Sequence, residues 1–461
     1  MFHDPDFSPF TPRTKPSIPV SFRNFLENWP PDAYRSGWTT MRGYWPLVPN
    51  SHLLADPRLI EEILITRADE FDRDFMSKRA LAGPINEGSL FFADGADWKW
   101  QRRAIAPAFR HENLLALVPD FVACARDRAE IWRKSGNNVD DVMQDMSRTA
   151  FAVIERATLG APDRLDRERF LDALTPNLQS IGWRRMLVFF GAPDWVPYPG
   201  ERAAADAQNI LQDETLKLIA ARRAGGGGGG GRDMLALLLE AQDPETGRRM
   251  NDTELLGNLY SLLVAGHETS AVALGWALWL LAKDEASQER LRREVAEVTG
   301  DADIGADTVE NLQFTKQVLM EAMRLFPPAP AIGRQPRRDT TLGGRKVSRK
   351  EPFYVAIWCL HRHEKLWDQP NAFDPDRFAP EKIKARPRCA FLPFGAGPRI
   401  CVGMSFAMLE MTAILATLVR GFRFSTVAGH RLELQPDFTV RPKGPLPLRI
   451  EPVDAKVAAA A

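Results

Sequence analysis

Cys401 sits in a loop whose composition suits a metal-bound thiolate. Glycines stand at positions −6, −4 and +2 from it (Gly395, Gly397, Gly403), Phe394 at −7 and Arg399 at −2. An apolar run with helical periodicity, Met404 to Val419, follows at once. A thiolate needs nearby positive charge to stay ionised, and the N-terminus of a following helix supplies it. The glycines let the backbone turn tightly and aim N–H groups at the sulfur, which tunes a bound metal. Gly403 leaves room where a flat macrocycle has to lie, and Arg399 is placed to pair with a carboxylate of that macrocycle. With iron as the metal, thiolate ligation pushes electron density onto iron and favours O–O cleavage. A lone cysteine beside a glycine-rich turn is often only a buried structural residue. Here five further positions share one spacing with it, which favours the ligand.

The loop resembles the haem-binding signature of the cytochrome P450 family, the haem–thiolate monooxygenases. The likeness extends from about Leu54 to about Pro442. It implies haem b, iron protoporphyrin IX, bound through Cys401 and enclosed by Phe394, Gly395, Arg399 and Gly403. It also implies a mainly α fold, with a large helical part and a smaller β-rich part built from the N-terminal region and residues 329–358.

Other motifs fit that expectation. Asp97 to Ala106 reads as a helix ended by Pro107, with Trp98 and Arg102 on one face. The pair resembles the family's propionate-binding Trp-x-x-x-Arg element; an arginine stacked on tryptophan at a helix surface is the simpler alternative. Arg334, ten residues after Arg324, resembles a second propionate arginine.

Asn251-Asp-Thr-Glu254 is a capping box that opens a helix running to about Lys283. Near its middle, Ala265-Gly266-His267-Glu268-Thr269 puts a glycine and two adjacent polar residues into an apolar element. A mid-helix glycine costs about 1 kcal/mol relative to alanine. The stretch resembles the family's oxygen-activation motif. Gly266 then leaves room beside the iron, Thr269 hydrogen-bonds dioxygen or water, and Glu268 feeds protons from solvent. The alternative is a helix bent by threonine bonding back to its own backbone. His267 points elsewhere and reads as structural.

Glu321 and Arg324 share one helix face, and Phe373-Asp-Pro-Asp-Arg377-Phe378 comes about fifty residues later. Together they match the family's Glu-x-x-Arg pair and its partner arginine. The resemblance implies a buried structural triad of Glu321, Arg324 and Arg377 that braces the cysteine loop.

Substrate contacts follow only from the family. Residues 72–95 read as a loop capping the pocket, with Phe75, Leu81 and Leu90 as candidates that equally suit core packing. Ala265, Ala329 and Ile332 complete the set. The proline-broken segment Met186–Pro199 reads either as a mobile lid or as an internally packed loop.

The 461 residues are 44% hydrophobic and 26% charged, an ordinary globular composition. They read as a single domain, 1–461, with an extended arm at 1–20, a flexible glycine link at 225–231 and a disordered tail at 453–461. Sixty basic residues balance sixty acidic ones, so nucleic acid is not an expected partner. Four scattered cysteines make no disulfide framework, and no apolar run opens the chain. These features suggest the soluble bacterial kind, without membrane anchor and cytoplasmic. Lys99, Arg102, Arg103 and Arg110, with Lys382, Lys384, Arg386 and Arg388, form two basic clusters. On the family fold they flank the thiolate side of the haem. They suit an acidic ferredoxin or flavodoxin fed by an NAD(P)H-dependent reductase, or are merely solvated charge.

The expectation is hydroxylation or epoxidation of a hydrophobic small molecule such as a fatty acid, terpenoid or aromatic. It uses O2 and two electrons from a separate partner. A peroxide-driven haem enzyme and a non-catalytic haem sensor remain as alternatives; the Glu268-Thr269 pair speaks against both.

Overall fold

A computed structural model describes residues 10–14, 24–43, 49–83, 88–136, 138–159, 166–224, 233–243 and 245–453. Most of the arm at 1–20, the glycine run 225–231 and the tail beyond Val453 lie outside the described residues.

Helices dominate, and their ends follow local chemistry. The long helix, Asp252–Lys283, opens with the expected capping box: Asn251 Oδ1 accepts from the Glu254 N–H at 2.9 Å, and Glu254 Oε2 accepts from the Asn251 N–H at 3.0 Å. At 1.5 Å per residue it spans about 48 Å. The helix carrying Glu321 and Arg324, Gln313–Leu325, stops before Phe326-Pro327-Pro328, where a second helical hydrogen bond is impossible. Trp98 and Arg102 lie on Gly95–Ile105, and the chain passes into a short 3₁₀ turn at Pro107. The apolar run after Cys401 becomes Met404–Gly421, buried without a break from Leu409 to Val419.

Among the described residues, that helix alone is long and apolar enough to cross a membrane, and 67% of its apolar stretch is buried inside the fold. It packs in one large hydrophobic cluster with the long helix, Val142–Leu159 and Gln313–Leu325. Trp276 of the long helix stacks on Phe326 with centroids 4.0 Å apart.

The main sheet has five strands, in the order Trp38–Met41, Ser51–Leu54, Phe353–Val355, Ile332–Pro336, Phe71–Asp72. Only Ser51–Leu54 and Phe353–Val355 pair in parallel. The sheet joins the N-terminal region to residues 332–355, as expected. Four strands went unread after the core helix. Phe422–Thr426 and Leu448–Pro452 pair with each other, and Leu434–Pro436 forms a hairpin with Val440–Pro442. The stretch read as loop over 72–95 contains a short helix, Phe75–Leu81, capped by Asp74. The β-rich stretch read over 329–358 ends at Val355, and Ile357–Leu360 is helical.

Candidate functional site

The cysteine loop is shaped by two glycines in the left-handed region, Gly395 at φ +74° and Gly397 at φ +73°. A Cβ on Gly397 would sit 1.8 Å from the Leu64 carbonyl oxygen, so the loop lies flat on the turn Glu62–Thr66. The Cys401 N–H donates to Phe394 O at 3.0 Å and closes the loop. Cys401 is accessible, whereas Cys124, Cys359 and Cys389 are buried. Protein atoms crowd its sulfur on most sides and raise the thiol pKa; the Gly403 N–H and the nearby Arg102 guanidinium lower it. Gly403 is the N-cap of Met404–Gly421, so the expected amide at a helix start is present. A Cβ there would meet Phe109 at 3.7 Å and Cys401 Sγ at 4.0 Å, both ordinary contacts. The protein's own packing therefore does not demand this glycine, and the space lies beside the sulfur.

Near the middle of the long helix Leu262, Ala265, Gly266 and Thr269 open along one face, at i, i+3, i+4 and i+7. The Thr269 hydroxyl donates to the Ala265 carbonyl at 2.8 Å, the back-bonded state. Glu268, 3% exposed, accepts from the Thr439 hydroxyl at 2.8 Å and meets the Arg441 guanidinium at 3.3 Å. Adjacent residues diverge by about 100° around a helix, and Glu268 and Thr269 serve different neighbours. Gly266 needs its lack of a side chain for another reason than expected. A Cβ there would come within 2.8 Å of Ile154 Cδ1, so the glycine admits Val142–Leu159 rather than clearing space for a metal. His267 is structural, as read. It shares a 2.8 Å hydrogen bond with Ser147, and burial lowers its pKa to about 4.

Ser270 donates at 2.7 Å to Glu410, a wholly buried acid on Met404–Gly421 whose pKa burial raises to about 8. Nothing in the sequence reading singled out Glu410; a lone acid in an otherwise apolar helix was the available signal.

The triad assembles as expected. Glu321 and Arg324 are both 0% exposed and pair through two bonds of 2.6 and 2.7 Å, while Arg377 Nε lies 3.4 Å from Glu321. Arg324 also donates to the carbonyls of His361, Pro370 and Ala372 at 2.8, 2.6 and 2.9 Å. His361 Nε2 in turn accepts from the Leu392 N–H at 2.9 Å. The brace thus reaches the chain just before the cysteine loop through His361, a residue that no motif marked.

A second group of arginines surrounds Trp98. Arg399 lies 4.7 Å over the indole and donates to Asp94 at 2.7 Å and to Ala93 O at 3.1 Å. The expected free guanidinium is therefore already engaged by protein. Arg334 is 8% exposed and, among the described residues, donates only to Gly333 O, at 2.8 Å. Arg102 stands close enough to Cys401 for their charges to interact. Arg73, absent from the sequence reading, belongs to the same group. Its guanidinium lies 3.6 Å over Phe91, and Arg334 and Arg399 repel it. An accessible thiol with an amide donor, together with guanidinium groups that lack carboxylates, fits a flat dianionic macrocycle bound through sulfur.

The substrate candidates divide. Ala265 and Ala329 are exposed, and Phe75 is half-buried. Leu81 and Leu90 pack against the main core, Ile332 against the smaller cluster around the sheet. Residues 186–189 continue the helix Arg167–Phe189, and 190–200 turn over the surface with Trp195 80% exposed. The packed-loop reading is thereby removed. Arg79 of Phe75–Leu81 ties this turn down through Asp194 at 2.5 Å and Ala192 O at 2.9 Å.

Half of the basic face is not free. Arg103 is held by Asp243 and Glu245 at 3.0 and 3.2 Å, and Arg388 by Glu61 at 3.2 Å. Arg386 stacks 4.1 Å from Trp367 and donates to Arg377 O. Lys99, Arg110, Lys382 and Lys384 are exposed.

Known proteins share this sequence and fold. A profile described as Cytochrome P450 matches residues 41–449. Cyclooctatin synthase of Streptomyces melanosporofaciens is 31% identical over 401 residues, spanning 87% of this chain and 86% of that protein. Cytokinin hydroxylase of Arabidopsis thaliana is 29% identical across 87% of this chain and 79% of its own. The crystal structure of the cytochrome P450DA heme domain superposes with a TM-score of 0.78 at 26% identity, covering 91% of each chain.

Proposed function

Since the chain belongs to the cytochrome P450 family, it is a haem–thiolate monooxygenase carrying haem b, and we propose that it oxidises a hydrophobic small molecule. The reaction is hydroxylation or epoxidation with one oxygen atom of O2. The two electrons come from a separate acidic ferredoxin or flavodoxin with its NAD(P)H-dependent reductase. The observation that carries this reading is the accessible Cys401 thiol, backed by the Gly403 amide and Arg102.

When bound, the haem supplies dioxygen activation and C–H oxidation. The protein supplies placement and protons. Cys401 would hold the iron, and the Gly403 N–H would temper the charge on sulfur. Trp98, Arg102 and Arg334 would hold the propionates, Arg399 would join them with the N–H groups that Asp94 and Ala93 leave, and Phe394 and Gly395 would shape the loop around the sulfur. The Thr269 hydroxyl, bonded to Ala265 O, would turn its proton toward bound oxygen. Glu268, anchored by Thr439 and by Arg441, whose side chain is 37% exposed, would have to leave those partners to replenish that proton from solvent. Ala265, Ala329, Phe75 and Ile332 present apolar surface to substrate, which supports fatty acids, terpenoids or small aromatics. The two relatives are named for a cyclooctatin and a cytokinin, so the identity does not select one substrate. Exposed Lys99, Arg110, Lys382 and Lys384 support docking of an acidic donor. Four free thiols support a reducing, cytoplasmic setting.

The test begins with compounds that convert the haem to high spin. One such compound is turned over with a surrogate ferredoxin, its reductase and NADPH. Oxygen from O2 in the product supports the proposal. Equal yield from peroxide without reductant points to a peroxygenase, and no product in either arm to a binder. Thr269→Ala is expected to keep haem but divert electrons to peroxide, lowering product per NADPH about tenfold or more. Unchanged yield removes the relay.

A further inference from the structure

The strand Phe71–Asp72 pairs antiparallel with Ile332–Pro336, with Phe71 opposite Pro336 and Asp72 opposite Gln335. One more step of the same register sets Arg73 opposite Arg334. Like charges directly opposite on neighbouring strands repel, and a guanidinium cannot shed its proton to escape. Two of the nearby carboxylates bind other cations: Asp72 holds Arg337 at 2.8 Å, and Asp94 holds Arg399 and Lys78. Asp74 accepts from the Ser77 N–H at 2.9 Å and the Tyr354 hydroxyl at 3.2 Å through one oxygen, its other oxygen has no hydrogen-bond partner, and it forms no ion pair with Arg73 or Arg334 among the described residues. Among the described residues, Arg73 makes no ion pair, and its Nε is sealed from solvent without a hydrogen-bond partner. Arg334 has only a carbonyl. Two guanidinium charges are thus left over, held in place by the Phe91 ring and the strand register. The anion that matches them carries two carboxylates on an apolar frame.

We propose that Arg73 binds a haem propionate beside Arg334 and is a determinant of haem retention. The proposal rests on the haem reading above and adds a residue to it. Its strength is a contrast in sign. A cation with no protein partner burdens the haem-free chain, so removing it leaves that chain as stable or more so. The same change weakens the hold on the diacid macrocycle. A residue that merely supports the fold weakens both.

The variants are Arg73→Gln, Arg73→Met as a second neutral form, and Arg73→Lys. Transfer of haem from the purified holoenzyme to excess apomyoglobin is followed at the Soret band. Loss is expected to be about tenfold faster in the two neutral variants and within about threefold of the parent in Arg73→Lys. The reduced carbon-monoxide spectrum stays unchanged, because the sulfur bond is untouched. The haem-free full chain is then titrated with iron protoporphyrin IX and with its dimethyl ester, and melted without either. The neutral variants are expected to weaken diacid binding alone and to melt at or above the parent temperature. Equal loss of diacid and diester, or a lower melting temperature of the haem-free chain, overturns the proposal. So does unchanged haem retention with a lost preference for laurate over dodecanol, which assigns Arg73 to a substrate carboxylate. A parent chain that takes up no haem sinks the haem reading itself, a separate outcome.

Discussion

Two buried arginine clusters lie in this molecule, and they are opposites. Around Glu321, the carboxylate holds two guanidinium groups: Arg324 meets both its oxygens and three carbonyls, and Arg377 lies 3.4 Å from the same acid and donates to Gln369 O. Around Trp98, Arg73 and Arg334 lack a carboxylate, and Arg399 takes the Asp94 that could have served them. A closed cluster fixes geometry, because rearranging any member exposes an uncompensated buried charge. An open cluster implies a ligand, because nothing in the chain balances it. Arginine content is alike in both, and the partners each cluster finds separate support from binding.

The largest effect bearing on this contrast belongs to the ligand itself. Cys401→Ser is expected to abolish the red-shifted Soret band of the reduced carbon-monoxide complex, leaving the Glu321 cluster intact. Retention of that band would mean another axial ligand. Next comes Glu321→Gln, which strands Arg324 in the closed cluster. Its expected penalty is about 3–5 kcal/mol in chemical denaturation of the holoenzyme. A loss below about 1 kcal/mol would make the two clusters equivalent and break the comparison.

Glu410 supplies a third case: a buried acid with one hydroxyl donor and a free oxygen. Unlike arginine it can neutralise itself, and its pKa rises from 4.5 to about 8. Between those values the folded chain holds a proton that the unfolded chain has lost. Stability therefore falls as pH rises, by up to about 1.4 kcal/mol per unit. His267 acts in the opposite sense, since its pKa drops from 6.5 to about 4 and stability rises with pH across that window. The two offset each other up to about pH 6.5, and Glu410 acts alone above it. The melting temperature of the parent is expected to fall from pH 6.5 to 8, and that of Glu410→Gln to stay flat. Parallel pH profiles would show the acid to be ionised.

The smallest effect is at the surface. Arg79→Ala removes the tie to Asp194, an ion pair with its acid largely exposed, at a stability change below about 1 kcal/mol. Faster imidazole binding to the haem is the expected readout, and an unchanged on-rate means that this turn does not guard the entrance.

The sites were legible where local spacing carries the chemistry. The glycines around Cys401, the i, i+3 pair Glu321 and Arg324, and the Asn251 capping box are all short-range patterns, and each formed as read. Reading failed where a residue's role depends on a distant partner. Gly266 looked like a clearing beside a metal until Ile154, more than a hundred positions away in the chain, filled it. Arg386 looked like free surface charge until Trp367 and Phe378 enclosed it. Arg73 drew no notice because one arginine in a polar stretch is commonplace.

By itself, the sequence determined the family, the loop that presents Cys401 and the helical scheme, because these rest on residue types at fixed short intervals. The tertiary structure alone decided which charges find partners. Strand register sets Arg73 against Arg334, and packing gives Glu268 to the hairpin at Thr439 and Arg441 rather than to Thr269. Pairing over hundreds of residues depends on how the elements meet in space, and electrostatic consequence follows distance through the fold rather than distance along the chain.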